Sequence, residues 1–341
     1  MNHIYYVIPD LFQKERFSFR SAVRHLKRRR LFNYIRRCLF RKFKPVGGVK
    51  VIYQHCLMLN KAGYRAYPVL MGKYHGNFFG FDVPTLSYQE ALEKMGMDDI
   101  VVATEFAPYQ AFLFPAQTKV LFLQNLVGLR RWLKVDDKEK SYKDIGYDEV
   151  MTCSQFCSDY VEKDMGIAVN TVTNGIDLTV FLPQAESRIE RRILAMSRKN
   201  PHDLAIIQKA MREYGIDINV VDGLTQDELI KEYQAADIFI ATGYPEGFSL
   251  PPIEAMACGA VVVGFTGGAG REFMIHRETA LVAEDGDTDT VIEHLLTLIN
   301  DSPLKERIRT EGLKKASEYG LDDLQTNLIA FYKKLSENNN I

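Results

Sequence analysis

Gly243-Tyr-Pro-Glu-Gly-Phe-Ser-Leu-Pro-Pro-Ile-Glu-Ala-Met-Ala-Cys-Gly259 is the stretch on which the fold turns. The apolar run before it, Asp237-Ile-Phe-Ile-Ala-Thr242, reads as a buried strand of a parallel sheet. A Gly/Pro-rich turn carrying Glu246 follows, and then a short helix. Ser249 suits its N-cap, Pro251 and Pro252 its first turn, and Gly259 its C-terminal stop. A second apolar run, Ala260-Val-Val-Val-Gly-Phe265, begins at once. Strand, turn, short helix and strand make a βαβ unit, and ligands in such sheets bind beyond the strand C-termini. The N–H groups of Phe248, Ser249 and Leu250 stand at a helix N-terminus, which favours an anion. Glu246 and Glu254 flank the same turn eight positions apart. An anion cradle beside two hydroxyl-binding carboxylates suits a nucleotide-diphosphate sugar.

The string from Glu246 through Gly259 resembles the E-x7-E signature of the retaining family-4 glycosyltransferases. Both carboxylates, the Gly-Phe pair and the Ala-Met-Ala-Cys-Gly tail agree. The resemblance implies a GT-B fold: α/β, with two Rossmann-like parallel-sheet domains facing a central cleft. It also implies transfer of a sugar from a nucleotide-diphosphate donor to a hydroxyl acceptor with retention of configuration. Glu254 would bind the ribose, and Glu246 would bind donor-sugar hydroxyls near the developing positive charge. Gly247, Phe248, Ser249 and Leu250 would line the donor.

Length and composition fit this expectation. The chain has 341 residues, more than one core usually organises, so two domains are expected. No apolar run is long enough to span a bilayer, and residues 3–8 are too short an apolar run for a signal-peptide core. The five cysteines form no CxxC pair, and no matching cluster completes a zinc site around Cys153 and Cys157. A cytoplasmic location is the simplest reading, with no metal site and no cofactor besides the donor. The net charge of −1 hides an asymmetry: residues 14–44 hold 13 Lys or Arg and one acid, Glu15.

Taken in order, His3–Ile8 reads as the first strand, and the Gly-rich turn Pro45-Val-Gly-Gly-Val49 arrives late, so residues 10–44 look like an insertion. Within it Phe32, Ile35, Leu39 and Phe43 share one helical face, surrounded by Arg36, Arg37, Arg41 and Lys42. Three readings stay open for residues 12–44: a peripheral helix on an anionic membrane, a loop packed on the acidic body, or a pocket for an anionic acceptor. No nucleic-acid-binding motif accompanies the charge, and no nucleic acid partner is expected. Gly47-Gly48 precedes a helix over 49–62, stopped at Gly63, and would let the backbone approach the donor.

Strands are expected over 64–70, 99–104 and 119–123, leaving Glu105, Gln124 and Asn125 at strand ends as acceptor-side candidates. Many members of the resembling family place a His near here, whereas this chain has the carboxamides Gln124 and Asn125. A carboxamide holds a hydroxyl but takes up no proton near neutral pH. Capping and turning are the alternative roles for the pair. Tyr147–Ser154 resembles the family's strand entering the hinge, with Ser154 capping the next helix. The domains are therefore placed at 1–145, 146–320, and a C-terminal helix over 321–341 returning to the first domain. The last residues, 337–341, are expected to fray.

In the second domain, strands over 192–197 and 216–221 alternate with helices over 201–214 and 225–234. After the first of these strands stand Arg198 and Lys199. Family members usually carry an Arg here and a Lys five or six positions later. Asp203 and Leu204 occupy those later positions, so Arg198 carries over directly and Lys199 supplies the second charge. A buried cationic pair would stabilise the leaving diphosphate without a metal. Asp222-Gly223-Leu224 would meet the nucleobase through backbone groups. The expected partners are thus the nucleotide-sugar donor and a glycan or lipid-linked acceptor. Two other functions stay open: a non-catalytic nucleotide-sugar-binding partner in a glycan-assembly complex, or a nucleotide-sugar epimerase of the same fold.

Overall fold

The computed structural model describes residues 2–10, 47–72 and 80–338. The basic segment therefore lies outside the described residues, apart from Asp10 at its edge. The described chain forms two compact units, Met1–Val120 and Leu121–Ile341.

In the first unit, β1 (His3–Ile8) is followed by α1 (Gly47–Lys61), β2 (Arg65–Leu70), β3 (Leu86–Ser87), α2 (Tyr88–Lys94), β4 (Ile100–Thr104) and β5 (Thr118–Leu123), which runs on into the second unit. β1 pairs in parallel with both β2 and β4, with Ile4 opposite Ala66 and Ile100. A strand paired on both sides and covered on both faces reads as an unbroken apolar run, and Ile4, Tyr5, Tyr6, Val7 and Ile8 are all buried. The helix begins at Gly47, two residues earlier than expected. Gly47 and Gly48 are its first turn rather than a loop before it. Of its expected apolar residues Val51, Ile52, Cys56 and Leu59 are buried and Leu57 is partly so, and His55 is buried with them. The Tyr6 hydroxyl stands 3.1 Å from His55 Nδ1, and burial pushes the His55 pKa down to about 3. The imidazole is therefore neutral at ordinary pH.

The second unit continues with α3 (Tyr142–Ile145), β6 (Glu149–Thr152), α4 (Gln155–Met165) and β7 (Asn170–Thr171). The first sheet has the order β3-β2-β1-β4-β5-β6-β7. Next come β8 (Ile193–Met196), α5 (Pro201–Glu213), β9 (Ile218–Val221), α6 (Gln226–Ala235), β10 (Ile238–Ala241), α7 (Leu250–Ala257), β11 (Val261–Phe265) and β12 (Ala280–Ala283). Three helices close the chain: α8 (Thr288–Asn300), α9 (Ser302–Ala316) and α10 (Leu321–Asn338). The helix α10 runs through Glu337 and Asn338, so the chain stays helical past the point where fraying is expected.

The second sheet has the order β12-β11-β10-β8-β9, with β10 paired in parallel to β11 and β8. Ile238, Ile240, Val261, Val263, Ile193 and Leu281 join one apolar core with residues of the flanking helices. A buried ionic knot closes the lower end of this sheet. Asp237 receives Lys305 Nζ at 2.7 Å, Arg309 Nη2 at 2.6 Å and the backbone N–H of Arg191 at 2.9 Å. Burial alone would raise the Asp237 pKa, but the Lys305 and Arg191 hydrogen bonds and the two cations outweigh it and hold it below the usual carboxylate range.

Candidate active site

The loops after β8 and β10 stand at the C-terminal ends of adjacent parallel strands, where such sheets collect ligands. After β10 the chain turns through Gly243, Tyr244 and Pro245 to Glu246. The Glu246 N–H donates to Gly267 O at 2.6 Å, and Glu246 bridges Gly268. The turn from β11 thus supports the carboxylate from below. Gly267 cannot carry a side chain here, since a Cβ would lie 2.3 Å from Gly243 O. Asp285 accepts from the Gly267 N–H at 3.1 Å and fixes this turn from the far side.

The loop after β8 reaches the same place. Lys199 Nζ lies 2.6 Å from Glu246 Oε1 and donates to Pro245 O at 3.3 Å. Arg198 is exposed and Lys199 partly so, which corrects the expectation of a buried cationic pair. The strand end lies at the protein surface, where Arg198 stays in solvent and Lys199 is partly covered by its contacts with Glu246 and Pro245. Asn200 has φ +46°, and its carboxamide nitrogen donates to Thr242 O and Tyr244 O, each at 2.9 Å. The Tyr244 hydroxyl in turn donates to Asp203 at 2.8 Å. Asp203 thus positions the turn, where the resembling family usually has a cation.

Glu254 lies on α7 and is only 6% exposed. Tyr233, from α6, donates its hydroxyl to Glu254 Oε2 at 3.3 Å and stands 3.6 Å from Met196 Sδ at the end of β8. Burial and the Glu254 charge push the Tyr233 phenol well up, so it stays protonated and donates. The same causes raise the Cys258 thiol to about 12. Three elements therefore meet around one nearly dry carboxylate.

Ser249 occupies the N-cap of α7, but its side chain makes no cap hydrogen bond. The reason is chemical. A capping side chain accepts from the N–H of the second or third helical residue, and here those are Pro251 and Pro252, which have none. The prolines also remove two of the donors that a helix N-terminus usually offers an anion. The remaining donors at the start of α7 are those expected: Phe248, Ser249 and Leu250. The Phe248 ring faces inward, against Phe273 and Tyr319.

Gly247 is held tightly from the end of the first sheet. Ser154 Oγ donates to Gly247 O at 2.7 Å and Cys157 Sγ donates at 3.3 Å. Ser154 also accepts from the Cys157 N–H, as an N-cap of α4 should. Any Cβ on Gly247 would lie 2.1 Å from Gln124 O. The residues 124–125 therefore touch the loop of Gly247, as backbone. Asn125 Oδ1 accepts from the Val127 N–H at 2.8 Å, so its carbonyl is spent on capping a short 3₁₀ turn. Of the acceptor-side candidates, Gln124 is half-buried, and Glu105, in the first unit, is fully buried. Glu105 is thus not displayed at the surface of its strand end. Leu224 is 38% exposed, on the loop before α6.

Among the described residues no cluster of His, Cys, Asp or Glu is arranged to hold a metal ion, and no helix is long and apolar enough to cross a membrane. Sequence reading missed Asn200, Tyr233 and Asp285. The Asn-Pro step before α5 was a usable signal for the first, because Asn tolerates positive φ. Tyr233 and Asp285 gave none.

Two parallel α/β sheets with this strand order define the GT-B class of fold. The whole chain superposes on Anabaena Alr3699/HepE in complex with UDP and glucose at a TM-score of 0.69, with 15% identity over 98% of this chain and 100% of that one. Residues 200–315 match the family "Glycosyl transferases group 1". The O-antigen chain mannosyltransferase B of Escherichia coli is 33% identical over 30% of this chain and 26% of its own length. The MMP alpha-(1->4)-mannosyltransferase of Mycolicibacterium hassiacum is 24% identical over 54% of each chain. The match thus spans between about a quarter and about half of these curated relatives.

Proposed function

We propose that the protein is a glycosyltransferase that moves a sugar from a nucleotide-diphosphate donor to a hydroxyl of a glycan or lipid-linked acceptor, with retention of anomeric configuration. The observation that carries this reading is the Lys199–Glu246 pair at the N-terminal end of α7, with the nearly dry Glu254 eight residues on. Each group then has a chemical task. Glu254, oriented by Tyr233, accepts the ribose hydroxyls in a pocket where water does not compete. Backbone N–H groups of Phe248, Ser249 and Leu250 face the sugar or phosphates. Glu246 holds donor-sugar hydroxyls and stabilises positive charge as the bond to the diphosphate lengthens. Lys199, with Arg198 beside it, neutralises the diphosphate as it leaves with the bonding electrons. Those cations make the reaction metal-independent. Leu224 completes the donor contacts of this unit, and Gln124 belongs to the acceptor side.

Support comes from the group 1 match over residues 200–315 and from two relatives named mannosyltransferases, while the structural neighbour binds UDP and glucose. The test is release of nucleotide diphosphate from UDP- and GDP-sugars in the presence of a cell extract as acceptor source. Turnover that survives Glu246→Ala would sink the assignment. Anomeric retention is checked by NMR of the product linkage. Peripheral binding to an anionic membrane through residues 12–44 is proposed alongside. Equal co-sedimentation with neutral and anionic liposomes would overturn it.

A further inference from the structure

We propose that Asn200 is a positioning residue: its carboxamide staples the loop after β8 to the loop after β10 and thereby sets the Lys199–Glu246 pair. This rests on the glycosyltransferase reading of that pair, though the staple itself does not.

The geometry is specific. Asn200 sits in the left-handed region, with φ +46° and ψ +52°. That conformation is unfavourable for most residues, and Asn adopts it more readily than others because its short polar side chain bonds locally. Here the side chain bonds across to a different strand's loop. Both contacts, Thr242 O and Tyr244 O, are carbonyl oxygens, which only accept. The amide nitrogen must face them, and both of its N–H donors are then used.

The next residue back adds a third carbonyl. Lys199 Nζ donates to Pro245 O while it pairs with Glu246. The carbonyls of Thr242, Tyr244 and Pro245 are thus all gripped from one side by two consecutive residues. Asp203, three residues on in the first turn of α5, takes the Tyr244 hydroxyl as well. The turn that ends in Glu246 has little internal pairing of its own, because Gly243, Tyr244 and Pro245 form no regular element. Without the staple the carbonyls of Thr242 and Tyr244 lose their grip, and the turn is held by the Glu246 bonds to the 267–268 turn and by the side-chain contacts of Tyr244 with Asp203 and of Lys199 with Pro245. A displacement of about 1 Å of a group at the reacting centre lowers rates by about 100-fold.

Two substitutions separate the staple from the backbone conformation. Asn200→Gly keeps the positive φ without strain and deletes the carboxamide. Asn200→Asp keeps shape and conformation but turns an acceptor oxygen toward two carbonyls. The first readout is amide hydrogen exchange, comparing the segment 243–247 with the strand 238–241. The second is kcat and KM for donor turnover, with the dissociation constant of UDP or GDP measured alongside. Expected in both variants are exchange at 243–247 at least tenfold faster, an unchanged strand, and kcat down about 100-fold. Nucleoside diphosphate binding should stay within about threefold, because Glu254 and Tyr233 are untouched. Unchanged exchange at 243–247, or a loss of kcat matched by an equal loss of folded protein, would overturn the proposal. Failure of the wild-type protein to turn over any donor would instead sink the glycosyltransferase reading, and the exchange comparison would still decide for or against the staple.

Discussion

Lys199 Nζ and Glu246 Oε1 lie 2.6 Å apart, joining the loops of two adjacent parallel strands. The pair places a cation and an anion at one spot, where a diphosphate and a sugar hydroxyl each have a partner. In the proposed function Lys199 shares its charge between Glu246 and the phosphate oxygens of the donor. Glu246→Gln keeps the shape and removes the charge. Its kcat is expected to fall by about 10²–10³-fold, with KM for the donor changed far less. Steady-state kinetics with the donor varied checks this.

Glu254 should behave differently. In the proposed function it binds a part of the donor that does not react, so Glu254→Ala is expected to raise KM more than it lowers kcat. Tyr233→Phe removes one hydrogen bond to that carboxylate and should weaken nucleotide binding up to about tenfold. Titration calorimetry with UDP and GDP reads both.

Activity is expected to persist in excess EDTA if, as proposed, Arg198 and Lys199 carry the countercharge of the diphosphate. Loss of turnover that added Mg²⁺ or Mn²⁺ restores would refute metal independence.

The Asp237 knot makes a stability prediction. Its carboxylate, Lys305 and Arg309 all have side chains no more than 5% exposed. Asp237→Ala leaves two buried cations without their anion and should cost about 3–5 kcal/mol. Because the folded pKa is depressed, this stabilisation is complete above the unfolded value near 4 and is lost as pH falls below it. Urea midpoints against pH would show the variant lacking that acid limb.

His55 adds a second acid-sensitive term, in the first unit. Its pKa falls from 6.5 unfolded to about 3 folded, so the unfolded chain gains a proton that the native state refuses. Stability is full above pH 6.5 and declines by about 1.4 kcal/mol per pH unit below it, until about pH 3. Replacing His55 by Phe should flatten this slope between pH 6.5 and 5, whatever it does to stability at pH 7. A slope equal to that of the wild type would refute the assignment.

Gly247→Ala tests the close approach to Gln124. The added methyl would lie 2.1 Å from a backbone oxygen, so the loop must shift and carry Glu246 with it. Transfer activity is expected to fall by at least about 100-fold, at a modest change in melting temperature.

Much of this architecture was legible in the chain itself. Alternating apolar runs and helices, Gly259 at a helix stop and Glu246 and Glu254 on either side of one turn are local features. Each is set by backbone stereochemistry and side-chain spacing over a few residues. Ser249 at the N-cap was legible too, and the prolines at 251 and 252 explain why its side chain makes no cap hydrogen bond there. Gly47 and Gly48 differed from expectation because helix ends depend on packing as well as propensity.

What the sequence determined by itself was the two-sheet α/β pattern and the placing of Glu246 and Glu254 on either side of one turn. The tertiary structure decided their surroundings. Asn200 meets Thr242 and Tyr244, Tyr233 meets Glu254, and Asp285 meets Gly267, because β8, β10 and β11 lie side by side in the order β12-β11-β10-β8-β9. Strand order is a matter of non-local burial, and no local period in the chain encodes it. Carboxylates can be read from a motif, whereas the groups that aim them are chosen by the neighbours that folding brings alongside.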